Sequence, residues 1–288
     1  MNVPKMRASV PRMQAIHRSI ARFCLYALLL VGAVVSVFPF LIAVFTAFKP
    51  ASEIFSHSAW SPPQHPVVSN FQTILSQYQF LTYVLHTALY VAVITAGQLV
   101  FSTFAAYAFA RMQFPGRDVL FWVYLSTLLV PNVVTMIPLF ILMKDLGWVD
   151  TYAGLVAPYV LGTPLGIFLL RQFFRTIPSD LEDAARVDGA GLLTIIVRIM
   201  IPLSRPILGT LAIITAVQGW NNFLWPLIIS DSDHTRVLTV AIAAFQSNYG
   251  VQWNLMMAAA VIALLPPVAF FLVFQRGIVR SIVLSGFK

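Results

Sequence analysis

The sequence predicts an all-α membrane protein with six transmembrane helices and a short cytoplasmic helix between spans four and five. Three observations predict it. Of 288 residues, 59% are hydrophobic and only 10% charged, with a mean hydropathy of +0.84, whereas a soluble domain carries about 25% charged residues. Six long runs contain no Asp, Glu, Lys or Arg, and ~20 mostly apolar residues are enough to cross a bilayer. Lys and Arg are gathered into alternate connections between those runs, the asymmetry that orients spans in a membrane.

Residues 1–22 form a basic tail with Lys5, Arg7, Arg12, Arg18 and Arg22. The first run, 23–48, is too long for the core of a cleavable signal, and no small-x-small site precedes Lys49, so an uncleaved span is expected. The second and third runs, 84–110 and 119–143, are separated by a connection that holds Arg111 and Arg117. Lys144 precedes the fourth, 152–170. The segment 171–205 then carries Arg171, Arg175, Arg186, Arg198 and Arg205. The fifth and sixth runs, 206–229 and 254–275, flank Arg236, and the tail 276–288 holds Arg276, Arg280 and Lys288. Lys49, Lys144 and Arg236 fall on one side of the membrane and the other fifteen cations on the opposite side, which puts both termini and 171–205 in the cytoplasm. The net charge of +8 is thus a matter of topology, and no nucleic-acid partner is expected. The spans, 23–275, make one domain.

Within the cytoplasmic segment, 182–202 is the most informative stretch. It holds three acids, Glu182, Asp183 and Asp188, between long uncharged runs. Alanine and leucine favour helix there, Gly189 permits a sharp reversal, and Pro202 stops a second helix. A polar helix-turn-helix between two spans calls for a partner to cover it.

Several chemistries find no support. The four lysines follow Pro4, Phe48, Met143 and Phe287, so no Gly-Lys-Ser/Thr phosphate loop exists. His17, His57, His65, His86 and His234 lie in tails, loops or near span ends, away from any metal-ligand spacing. Cys24 alone cannot form an intrachain disulfide. No Asp, Glu, Lys or Arg lies inside a span, which counts against a proton-coupled carrier, and no nucleophile–base pair can be assembled.

The stretch 182–202 resembles the E-A-A loop of ABC-importer membrane subunits. Asp183-Ala184-Ala185 is followed after three intervening residues by Gly189, and after nine more by Ile199-Met200-Ile201-Pro202. The departures are Asp183 for Glu and Ile201 for Leu. The likeness extends over roughly 20–288. Ala105-Ala106-Tyr107-Ala108-Phe109-Ala110-Arg111 with Phe114-Pro115-Gly116-Arg117 is similar to a signature of carbohydrate-importer permeases, as are Trp220-Asn221-Asn222-Phe223-Leu224-Trp225-Pro226-Leu227 and the tail Gly286-Phe287-Lys288. His86-Thr87 departs from the family's Asn-Ser. The resemblance implies one permease of an ATP-driven importer in a bacterial-type inner membrane. A second permease, expected to be a different chain, would complete the pathway. Two ATPase subunits would bind ATP and Mg, with no cofactor in this chain, and an extracytoplasmic binding protein would deliver a sugar or related polar solute. A polyol or glycerol-phosphate ester is the alternative solute. An ATP-independent secondary transporter or channel is the alternative class.

On that resemblance, Leu181, Glu182, Asp183, Ala184, Ala185, Arg186, Asp188, Gly189 and Pro202 make the ATPase-coupling segment. Gly189 sets the angle between its helices, the charged groups reach a groove on the ATPase, and Leu181, Ala184, Ala185 and Val187 supply apolar anchors. Glu182 and Arg186 are spaced to pair with each other. Arg171 and Arg175 read as positive-inside anchors. For the solute pathway the spans offer only neutral groups: Asn132 and Thr135 on span three, Gln218, Asn221 and Asn222 on span five, and Trp220. An amide in hydrocarbon costs several kcal/mol, on the order of 2–7, unless paired, so these amides face a cavity or bond between helices, and both readings stand. Trp220 and Trp225 read as an interfacial belt, and Gly162 with Gly166 as a close-packing pair.

Overall fold

The computed structural model describes residues 12–56, 58–248 and 252–286, and side chains within 20–56, 58–244 and 252–272. All regular structure among them is helical. The chain divides into two compact units, Met1–Phe71 with Trp253–Val261, and Gln72–Gln252 with Ile262–Lys288. The expected termini 1–11 and 287–288 lie outside the described residues.

In the first unit, α1 (Arg12–Ala47) supplies an apolar stretch, Ile20–Ala47, long enough to cross a bilayer. The chain then folds into a turn of 3-10 helix at Ala51–Glu53. Two buried charges hold this region. The Lys49 ammonium donates to the Ser58 carbonyl at 3.0 Å, and the Glu53 carboxylate accepts from the amides of Gln64 and His65 at 3.2 and 3.0 Å. Asn70, at the start of α2 (Ser69–Gln77), donates to the carbonyls of Ala47 and Lys49 and accepts from Asn254 at 2.9 Å.

The second unit is built around α3 (Phe80–Arg111), 32 proline-free residues and about 48 Å long. Around it lie α4 (Arg117–Ser126), α5 (Asn132–Asp145), α6 (Tyr152–Val160), α7 (Pro164–Phe174), α8 (Asp180–Val187) and α9 (Leu192–Ile195). A π-helical turn, Ile196–Met200, leads to α10 (Ile201–Leu203), followed by α11 (Arg205–Trp220), α12 (Leu224–Ile229) and α13 (Leu238–Asn248). The last helix, α14 (Trp253–Gly286), belongs in part to each unit. Two apolar clusters share α3. One gathers Ala106 and Tyr107 with Phe121, Leu170, Phe174, Ile195, Ile196 and Met200. The other gathers Tyr90, Val91 and Ile94 with Leu155, Trp225 and Ile229.

Four segments are long and apolar enough to span, and up to six if each bent pair counts as one. Three expected spans are interrupted. Run 119–143 breaks at Val130-Pro131, and the helical pieces on either side meet at 102°. Pro131 lacks an amide proton and biases Val130 to extended backbone, observed at φ −84, ψ 118. Run 152–170 breaks at Leu161–Thr163, where the Thr163 side chain caps α7 by accepting from the Gly166 amide at 3.2 Å and Pro164 takes the first turn. Run 206–229 stops at Trp220 and resumes as α12. The pair Gly162 and Gly166 does pack closely. A Cβ on Gly162 would lie 2.9 Å from the Ser102 amide, and one on Gly166 2.8 Å from the Ser102 hydroxyl.

Candidate functional site

The segment 182–202 folds as expected into helix, turn and helix, but Pro202 does not stop the second helix: it sits in the first turn of α10, which follows the π-helical turn and runs to Leu203. Asp180, Glu182 and Asp183 fill the first turn of α8, where the exposed amides favour negative charge. Gly189 closes the helix in the left-handed region, at φ +81. Its amide donates to the Arg186 carbonyl at 3.0 Å, and that of Ala190 to Ala185 at 2.9 Å. These two bonds form the Schellman closure, in which glycine avoids the penalty of a Cβ. Nothing lies within 4 Å of where that Cβ would point, so the turn is open to a partner.

Most predicted coupling residues share this exposed turn. Leu181, Asp183, Ala184, Arg186, Val187 and Asp188 are exposed, Val187 at 88%. Ala185 packs on the inner cluster, and Pro202 is half-buried. Glu182 departs from its expected place. Expected to reach the ATPase, it is instead 3% exposed, with Oε1 2.8 Å from the Arg111 Nε and Oε2 accepting from the Tyr107 hydroxyl at 2.8 Å. The expected pairing with Arg186 exists at 3.8 Å. Arg111 also donates to the carbonyls of Phe174 and Ile177. Tyr107 and Arg111 were legible only as members of a signature, with no signal of what they hold.

Arg171 is likewise withdrawn from water and is no solvated anchor. Its guanidinium donates to the Phe109 carbonyl and the Asp118 carboxylate, each at 3.2 Å, and lies 3.9 Å over the Phe121 ring. Asp118 bonds Arg117 as well, and chiefly that bond, with the charges of Arg117, Arg171 and Arg175, holds its carboxyl below the usual carboxylate range.

The second site is a polar cavity of about 590 Å³ between α3, α5, α6 and α11. It brings together Asn132, Gln218, Asn221 and Asn222, and adds Tyr90, Gln98, Tyr159 and Thr215. No charged side chain lines it. Asn222 donates to the Tyr90 hydroxyl at 2.9 Å, Gln98 donates to the Tyr159 carbonyl at 2.8 Å, and Thr215 donates to Gln98 at 3.0 Å. Asn221 caps its own helix through the Val217 carbonyl. The side-chain amides of Asn132 and Gln218 make no hydrogen bond to another described residue. Each donor and acceptor fixed by the fold orients a wall, while the unengaged amides remain for a ligand. Gln98 and Thr215, the missed members, could have been found as polar residues inside uncharged runs.

Two expected pathway residues are elsewhere. Thr135 is exposed and returns its hydroxyl to the Asn132 carbonyl. Trp220 lines a separate apolar pocket with Thr95, Pro266 and Pro267, its indole donating to the Ala263 carbonyl at 3.2 Å. Trp225 is fully buried, with its indole on the Gly154 carbonyl, so the pair forms no interfacial belt. His86 and Thr87 serve the N-terminal end of α3. Thr87 accepts from the Leu238 amide at 2.8 Å, and the His86 Nδ1 lies 3.2 Å from the Arg236 carbonyl. Among the described residues no three His, Cys, Asp or Glu side chains are grouped to hold a metal.

The family model for the "Binding-protein-dependent transport system inner membrane component" matches residues 98–283, which includes the coupling segment and most of the cavity. The sn-glycerol-3-phosphate transport system permease protein UgpE of Yersinia enterocolitica is 32% identical over 280 residues, 93% of this chain and 97% of that one. The arabinooligosaccharides transport system permease protein AraQ of Bacillus subtilis is 31% identical over 278 residues, 94% and 97%. Among solved structures, a chain of a bacterial ABC transporter involved in the import of the acidic polysaccharide alginate superposes with a TM-score of 0.80 at 23% identity, covering 92% of this chain and 98% of that one. Another, from that transporter in complex with an alginate pentasaccharide-bound periplasmic protein, gives 0.63 at 15% identity, covering 90% and 96%. With its family matched over more than half its length and full-length relatives above 30% identity, the chain belongs to the inner-membrane components of binding-protein-dependent transport systems.

Proposed function

We propose that this chain is one of two permeases in an ATP-driven importer for a neutral carbohydrate, with six spans, both termini in the cytoplasm, and α8 with its Gly189 turn docked on the ATPase. The observation that carries the solute class is the cavity, whose polar lining consists of amides and hydroxyls with no charge. Such groups match the hydroxyls of a sugar, and Tyr90 and Tyr159 offer aromatic faces to its apolar sides. A glycerol-phosphate ester, the solute named for one relative, would bring an anion into a cavity without a cation, at a large desolvation cost. The arabino-oligosaccharide named for another suits the lining better. The membrane chain itself hydrolyses nothing in this reading. A separate ATPase pair holds ATP and Mg, a second permease of different sequence closes the pathway, and an extracytoplasmic protein delivers the solute.

The test is co-purification from native membrane followed by reconstitution. The tagged chain is expected to bring down a Walker-motif ATPase and a second permease. In liposomes loaded with ATP, the complex and its binding protein should accumulate labelled neutral oligosaccharide. Uptake competed by glycerol phosphate and not by sugar would overturn the solute class. Uptake without ATP would overturn the importer itself.

A further inference from the structure

We infer that Glu182 is a positioning residue that ties the coupling helix to α3, so that α3 carries ATPase motion to the solute cavity. This rests on the importer reading above. Two routes lead from α8 to the cavity. One follows the chain through α9, a π-helical turn and α10 into α11, and bends by 82° at Ser204. A π-helical turn and a sharp bend are places where a helix yields. The other leaves the chain. From α8 it crosses Glu182 to Arg111 and Tyr107 on the last turns of α3, then runs up that helix. Arg111 and Gln98 are about 20 Å apart along one uninterrupted helix, and Gln98, Ile94 and Tyr90 form a wall of the cavity.

The contact is built to hold both ways. Glu182 is 3% exposed and receives a guanidinium and a phenol on its two oxygens. Arg111 in turn bonds two carbonyls at the end of α7 and just beyond it. Neighbouring Arg171 fastens α7 to the Phe109 carbonyl of α3 and to Asp118 of α4. The exposed face of α8, with Ala184, Val187 and Asp188, is left for the ATPase. The two faces thus divide the work, one for docking and one for transmission.

The experiment uses the whole importer in ATP-loaded liposomes and reads solute imported per ATP hydrolysed, a ratio that mere loss of folded protein leaves unchanged. Glu182→Gln and Arg111→Gln are each expected to keep the ATPase bound and to lower that ratio about tenfold, the size of a typical coupling term. The exchange Glu182→Arg with Arg111→Glu should recover part of it. If Glu182→Gln fails to accumulate, Tyr107→Phe, which removes one hydrogen bond and no charge, is read in its place and should lower the ratio about threefold. An unchanged ratio in the variant that is read overturns the inference, as does loss of the ATPase from Glu182→Gln, which would make Glu182 a docking contact. Wild-type uptake that needs no ATPase would overturn the importer reading and the inference with it, whereas an unchanged ratio in an ATP-dependent importer overturns the inference alone.

Discussion

Glu182 and Asn222 both press polar groups against α3, about 26 Å apart along its axis as judged from their partners Tyr107 and Tyr90. At the C-terminal end of α3 the group is charged, buried, and matched by an arginine. In the cavity it is a neutral amide on a phenol, beside the Asn132 and Gln218 amides, which bond no other described residue. The difference is one of purpose. A buried ion pair is satisfied in one geometry only, and removing one partner costs about 3–5 kcal/mol because the other charge is stranded. That suits a fixed joint. Neutral amides tolerate exchange of partners, which suits a surface that must bind a solute and release it.

The largest expected effect comes from breaking the region around α8 at its exposed face. Gly189→Asp places a charged side chain on the open turn and a Cβ at φ +81. Aspartate enters the left-handed region more readily than most residues, so the helix should form and the protein should reach the membrane. Uptake is expected to fall to background because the new carboxylate stands where the ATPase is proposed to dock. Immunoblotting of membranes beside an uptake assay checks both halves. Normal ATP-dependent uptake would remove the turn from coupling.

The two regions were not equally legible in the sequence. The coupling turn was, because its determinants are local: acids at a helix start, alanines within it, and a glycine at the position that only a Schellman closure explains. The inward turn of Glu182 was hidden, since its partners Tyr107 and Arg111 lie 75 and 71 positions earlier and nothing local distinguishes a solvated acid from a buried one. For the cavity, amides in uncharged runs pointed to Asn132, Gln218, Asn221 and Asn222, and the fold gathers these four. Thr135 failed because a helical threonine can satisfy itself on a carbonyl one turn back. Trp220 and Trp225 failed because a tryptophan near a span end serves a belt and a core equally well by sequence. The broken spans were foreshadowed by Pro131 and Pro164, whose effect on the preceding residue is local, while the 102° angle depends on what the pieces pack against.

A middle-sized effect sharpens the cavity side of the comparison. Asn222→Leu leaves the Tyr90 hydroxyl without its donor, and one stranded partner costs about 1–3 kcal/mol. Import of neutral oligosaccharide is expected to drop about tenfold, the equivalent of ~1.4 kcal/mol, while solute imported per ATP hydrolysed changes little. That signature is opposite to the one expected at Glu182. Titrating the binding protein while following both uptake and ATP hydrolysis separates them. A collapse in the ratio would mean that the cavity wall also transmits force, and the division between the two ends of α3 would disappear.

The smallest effect is expected where a charge serves structure alone. Asp150 accepts from the amides of Asp231 and Ser232, each at 3.1 Å, and from the Thr235 hydroxyl, and so pins the loop that leads to Leu238 and the N-terminal end of α3. Partial desolvation pushes its pKa up, but the bonds from Thr235, Ser232 and Asp231 outweigh it and hold the value down to about 2. A carboxyl lower in the folded chain than its unfolded value of about 3.9 stabilises at all pH above that value, and the contribution fades as pH falls toward 2. Amide exchange across 231–235 should therefore be pH-independent in protection above about 4 and lose protection below it. Asp150→Asn keeps an acceptor and tolerates the positive φ of 55, so it should flatten that dependence and leave import at neutral pH within about twofold, as surface changes near ±0.5 kcal/mol do. Should it reduce import as far as Asn222→Leu does, the 231–235 loop would belong to the solute path. A charge would then be working where only neutral groups are assigned, and the contrast between fixed charged joints and exchangeable neutral walls would fail at its third test.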